Sequence, residues 1–174
     1  MASKRAHNLR DATEHLAYEI DMFYQQGEKF ERLNEKKHGN SNSGQSEQQG
    51  TKPKQIVLNA LCEAFYVHAR ILINFIYNRG SHGDMRAREY CNQWKPCLPQ
   101  ELDQLSCHVN AMIMHLTWNR DTLYGLTRRW PVKKLMEDLA GPLVEFHELV
   151  ENTSPNLFAP GLAVAIGKCR KYVA

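Results

Sequence analysis

This chain predicts an all-α fold: a bundle of four to five helices in a single domain spanning residues 1–174, interrupted by a disordered polar insertion. Three observations carry that expectation. Apolar residues recur at three- and four-residue spacing in several long stretches, which gives a helix one face to bury. No stretch shows the apolar–polar alternation of a half-buried strand. Residues 34–55 contain no hydrophobic side chain, so nothing there offsets the entropy lost on ordering.

The first helix is expected over residues 9–33, where Leu9, Ala12, Leu16, Ile20 and Phe23 share a face while Arg10, Asp11, Glu14 and Asp21 look away. Gly27 should weaken its second half. The stretch 34–55 then reads as an insertion inside the domain, because one helix cannot make a core by itself. Ile56 to Tyr77 is the most hydrophobic helix. Val57, Leu61, Ala64, Phe65, Ile71, Leu72, Phe75 and Ile76 cover more than half of its circumference. Two glycines and two prolines between Gly80 and Pro99 predict a loop with a short helical piece.

The next helix spans residues 100–117. Pro99 suits the first turn, and Glu101 and Asp103 suit the positive end of the helix dipole. Its apolar face is Leu102, Leu105, Val109, Met112, Ile113 and Leu116. Trp130-Pro131 opens a further helix carrying Val132, Leu135, Met136, Leu139, Leu143, Phe146 and Val150, with a kink or break expected at Gly141-Pro142. A short helix is expected from Gly161 to Tyr172.

Composition narrows the function classes. With 174 residues and 43% hydrophobic side chains, one sizeable core is expected. A net charge of +3 is too small to argue for a nucleic-acid or membrane partner. Lys168, Arg170 and Lys171 lie in a tail without acids, so that tail either meets a phosphate or is a solvated helix end. The N-terminus has no signal-peptide core, and no run approaches the ~20 apolar residues that span a bilayer. Five cysteines, Cys62, Cys91, Cys97, Cys107 and Cys169, lack a disulfide-scaffold spacing. Reduced thiols and a cytoplasmic location, with no membrane partner, are the expectation.

Polar residues stand out on two of the predicted helices. At about 100° per residue, Asn59, Glu63, Tyr66, Arg70, Asn74 and Tyr77 form one narrow stripe, with Glu63 and Arg70 two turns apart. Opposite them His68 falls amid Ala64, Ile71, Leu72 and Phe75. It is expected to be buried and neutral, either as a core residue with a hydrogen-bond partner or as a ligand contact. On the 100–117 helix, His108 and His115 lie on one side, roughly 10 Å apart along the axis. That is too far for both to bind one zinc ion, but it suits a polyanion lying along a groove. The other reading is that both cap or bridge helices.

No metal and no cofactor are expected. Cys91, Cys97, Cys107 and His108 lack tight zinc spacing, and no glycine-rich phosphate loop or Gly-x-Ser-x-Gly elbow is present. Arg128-Arg129-Trp130 has the residue types of a nucleotide-stacking platform or of a core anchor.

The spaced pattern Leu61-x3-Phe65-x2-His68-x-Arg70-x-Leu72-x2-Phe75, followed by Trp94, Asn110-x4-His115-Leu116-Thr117-x2-Arg120, Trp130 and Phe146, resembles an uncharacterised bacterial family of small helical proteins. The similarity covers residues 56–150. The His-Leu-Thr block also resembles the signature of HEPN-type domains, in which an Arg precedes a His by four to six residues. In this chain His108 stands where that Arg would fall, and imidazole lacks the bidentate phosphate clamp of guanidinium.

The resemblance implies a helical bundle, commonly homodimeric, that binds nucleotides or cleaves RNA without a metal. The roles it suggests are His115 as acid/base group, His108 as phosphate contact or second acid/base, and Asn110 as orienter. Arg120, Arg70 and Glu63 are the expected substrate contacts. A non-catalytic helical interaction module, also homodimeric, is the alternative.

Overall fold

The computed structural model describes residues 2–39, 51–81, 83–109, 131–154 and 156–173. Among them are five α-helices and no strand. These are α1 (Ala2–Gly39), α2 (Thr51–Ile76), α3 (Gln100–Val109), α4 (Val132–Thr153) and α5 (Pro160–Cys169). Short 3-10 turns at Ala87–Glu89 and Arg170–Tyr172 complete the order. The chain is therefore an all-helical bundle, as its periodicity predicts.

Helix α1 is the scaffold, packing against α2, α4 and α5, while α2 also contacts α3 and α4. The core draws on Leu16, Ile20 and Phe23 from α1, on Phe65, Leu72 and Ile76 from α2, and on Leu139, Leu143 and Phe146 from α4. Burying each such side chain contributes about 1.5–3 kcal/mol. All seven apolar residues anticipated on α4 are buried.

Pro142 sits inside α4 without splitting it, so of the kink or break expected there the break does not occur. The missing N–H removes one ladder bond, and the flanking turns, with Leu139, Ala140, Leu143 and Val144 buried, hold the helix together. Helical backbone also covers residues 34–39 and 51–55, at either end of the stretch expected to be a disordered insertion. Residues 40–50 of that stretch lie outside the described residues.

One further expectation is corrected. Ile56–Ile76, 21 residues with mean hydropathy 1.6, is long and apolar enough to cross a membrane by length and composition. Scattered polar residues such as Glu63 and Arg70 do not bring the average down, which is why the run was underestimated. A helix packed at the centre of a bundle passes the same test.

Gly27, read from the sequence as a weak point, is buried where α1 meets Phe65 of α2 and Met136 of α4. A Cβ there would lie 2.5 Å from Met136 Sδ and 2.9 Å from Phe65 Cε2. Gly27→Ala should therefore destabilise by about 1 kcal/mol in urea denaturation, the overpacking outweighing the gain in helix propensity. A more stable variant would show that the seam has slack.

Polar links fix how the helices meet. The buried Thr13 hydroxyl accepts the Ala159 N–H at 2.8 Å, which satisfies the residue preceding α5. Trp94 Nε1 donates to the Ile76 carbonyl at 2.8 Å and so satisfies an orphan acceptor at the end of α2. The tail bases pair at the surface of the bundle: Lys168 with Asp21, and Arg170 with Glu148 at 2.9 Å. Two of the three tail cations are thus already engaged within the bundle.

Candidate functional site

A cleft of about 400 Å³ opens between α1, α2 and the loop that follows α2. Residues 15, 16 and 19 form the α1 wall, as neighbours one turn apart. Residues 67, 70, 71 and 74 form the α2 wall at i, i+3, i+4 and i+7 spacing, a single helical stripe. Leu16, Val67, Ile71 and Phe75 make an apolar surface, and His15, Glu19, Arg70 and Asn74 supply polar groups. Asp84 and Met85 close the third side.

The loop that carries Asp84 and Met85 is tied down at several points. Asn78 takes a left-handed backbone conformation (φ 57°) just beyond α2, a shape that Asn tolerates better than most residues. Arg79 N–H donates to the Asn74 carbonyl at 2.9 Å, and Arg88 N–H donates to Asn78 Oδ1 at 2.9 Å. Arg86 Nη2 donates to the carbonyls of Gly80 and Ser81 at 2.6 and 2.7 Å. Asp84 Oδ2 accepts the Ser81 N–H at 2.5 Å. The Tyr90 hydroxyl lies 2.9 Å from Met85 Sδ and 3.1 Å from the Leu9 carbonyl. Asp84 and Met85 are therefore held in place against the cleft rather than on a free loop.

Charge in the cleft is mixed. Glu19 Oε2 lies 2.5 Å from His68 Nδ1, and both side chains are largely covered. The edge of Tyr18 packs on the same imidazole, with ring centroids 6.0 Å apart. His68 thus has a hydrogen-bond partner, a carboxylate of α1 at its Nδ1, but it is half-buried rather than at the centre of the buried face. A carboxylate that orients an imidazole in this way fixes the tautomer and leaves the other ring nitrogen for proton exchange. Arg70 makes no ion pair among the described residues, so its guanidinium is available to a ligand.

Of the residues singled out from the sequence, Arg70 lies in the cleft wall. Glu63 is exposed two turns away on α2 and does not line it. The backbone of His108 belongs to α3; its side chain lies outside the described residues, as do Asn110, His115 and Arg120, together with Arg128, Arg129 and Trp130. Within the expected polar stripe of α2, Tyr66 and Tyr77 turn inward and are buried. Burial pushes both phenols above their ordinary ionisation range.

His15, Glu19 and Asp84 were not anticipated. The His15-x3-Glu19 spacing was the available signal, since it places both side chains on one helix face. Among the described residues no three His, Cys, Asp or Glu side chains converge as a metal site. A larger depression, about 650 Å³, lies between residues 88–93 and the end of α4 at Thr153 and Ser154. It too holds an arginine without an ion pair among the described residues, Arg88, but it lacks the continuous apolar wall of the first.

Compared with protein-family models, with curated proteins and with solved structures, the chain gives no match. The fold and the cleft define it as a helical bundle with a mixed-charge surface cleft.

Proposed function

We propose that this protein is a HEPN-like helical module that binds RNA or a nucleotide, with the cleft between α1 and α2 as the binding site. The observation that carries the reading is Arg70: a guanidinium without an ion-pair partner among the described residues, set in the wall of a cleft with an apolar surface. A planar cation beside an apolar surface matches a nucleotide, whose phosphate takes the guanidinium fork and whose ring covers the hydrocarbon. His15 adds a second nitrogen donor on the facing wall. Metal-independent cleavage, with His115, His108 and Asn110 in the acid/base roles and Arg120 as a further contact, belongs to the same proposal, as does a homodimer.

The test is binding of a labelled single-stranded RNA at low salt, where phosphate attraction is strongest, followed by fluorescence anisotropy. Arg70→Ala should weaken binding about ten- to a hundredfold, the scale of one hydrogen bond to a charged group. Lys134→Ala, which removes a cation already paired with Asp138, should leave it within a factor of two or so. Loss of RNA cleavage in His115→Ala with binding retained would support the catalytic part. No binding by the native chain would end the reading and leave a helical interaction module in its place.

A further inference from the structure

The cleft presents two opposite demands. Arg70 asks for an anion, while Glu19 and Asp84, on two other elements, ask for hydrogen-bond donors. Glu19 is already engaged with His68. Among the described residues Asp84 is bonded through Oδ2, to a backbone N–H, which leaves its second oxygen for a ligand. A ligand that satisfies the cleft therefore combines a phosphate, adjacent N–H donors and a flat apolar body.

We propose that the cleft selects guanine, an inference that rests on the nucleotide reading above. Among the common bases guanine alone offers two neighbouring donors on one edge, N1–H and the 2-amino group, which one carboxylate accepts side by side. Adenine and cytosine set a ring acceptor beside their amino group, and uracil flanks its single N–H with carbonyls. Each of these would turn a lone pair toward Asp84.

The loop geometry favours a selective contact over a casual one. The Ser81 N–H and the two carbonyl contacts of Arg86 hold the segment that bears Asp84, so little side-chain freedom is lost on binding. Met85, placed beside the Tyr90 hydroxyl, offers a polarisable sulfur to the face of the base. Ile71, 40% exposed, offers apolar area from α2. Arg70 takes the phosphate, and Asn74, one turn further along α2, reaches the same space.

Calorimetric titration of the full chain with GMP, IMP and AMP at low salt tests this. GMP should bind at least ~10-fold more tightly than AMP, the discrimination of one bidentate base contact. IMP, which lacks only the 2-amino group, should fall between. Asp84→Asn keeps an acceptor for Ser81 N–H but puts a donor opposite the base, and should erase the preference. Arg70→Ala should weaken all three nucleotides in proportion. A uridine-flanked RNA pentamer with a central G identifies the source. Binding more than ~10-fold tighter than GMP points to an RNA chain, equal affinity points to the free nucleotide, and either upholds guanine provided a central A binds less well. Equal affinity of the native chain for GMP and AMP would overturn the selection and leave nucleotide binding standing. No binding of any of them would overturn both.

Discussion

Replacing Phe146 by alanine should cost about 3–5 kcal/mol of folding stability, measured by urea denaturation. Phe146 is 1% exposed and stands at the crossing of four parts of the bundle. Its ring meets Phe75 of α2 edge-on at 5.3 Å, Trp94 at 5.6 Å and Tyr90 at 6.0 Å in the preceding loop, and Phe158 at 5.9 Å before α5. Aromatic pairs of this kind add roughly 0.5–1.5 kcal/mol each beyond their area. Truncation also leaves a cavity whose walls are large rings that cannot collapse into it. Against a total stability of about 5–15 kcal/mol for a domain, that loss removes much of the fold's margin. Phe146→Leu, which refills most of the volume, should recover more than half of it. A cost below ~1 kcal/mol for Phe146→Ala would refute the hub.

The next largest effect should appear on acidification, through His147. Its ring is buried in α4, stacked on Phe158 at 5.1 Å, and neither ring nitrogen has a hydrogen-bond partner among the described residues. The Glu151 carboxylate lies 3.6 Å from Nε2, beyond hydrogen-bond reach. Burial holds the imidazole below its ordinary value of 6.5; Glu151 and Glu148 pull it up, and Arg170 pushes it further down. The unfolded chain therefore binds a proton that the folded chain refuses. Stability is fully present above pH ~6.5 and falls as pH drops from there toward the lower value of the folded state.

His147→Leu removes both the titration and two unpaired polar atoms. The variant should exceed the native chain at pH 8 by about 1–3 kcal/mol, the cost of an unsatisfied buried group, and its lead should widen as the pH falls to 5. Parallel stability curves for the two proteins between pH 8 and pH 5 would rule out the buried, neutral ring.

How far the sequence could be read depended on how many neighbours each element has. Helix α4 presents one continuous face to the core, so a 3.6-residue period identified seven of its ten buried members and missed Ala140, Val144 and His147. Helix α2 lies between α1, α3 and α4, and its buried arc is centred on Ala69 rather than His68. Val57 and Ile71, expected inside, are 46% and 40% exposed, while Tyr66 and Tyr77, grouped with polar residues, are inside. Tyrosine has an apolar body and a polar tip, and a wheel that scores only polarity misplaces it.

The same limit applies to the cleft. Arg70 was legible because it interrupts an apolar helix. His15, Glu19 and Asp84 read as ordinary surface charge, and only the approach of α1 to α2 and the winding of the loop bring them together. Gly27 is the reverse case, a residue whose local cost was visible and whose purpose lay in another helix.

The thiols turn this fold into its own stopwatch. All five are free; Cys62, Cys91 and Cys169 are enclosed, and Cys97 and Cys107 face solvent. Burial also pushes the Cys62 and Cys169 thiols up to about 12, so neither supplies the thiolate that an alkylating reagent attacks. Treated with iodoacetamide at pH 8, the native chain should take up two labels promptly and the remaining three only as fast as the bundle opens. Mass spectrometry at timed intervals would then report the opening rate of the α1–α2 and α1–α5 seams, where Cys62 and Cys169 lie, with no added probe. Prompt labelling of all five would mean that these seams breathe far more than their packing implies.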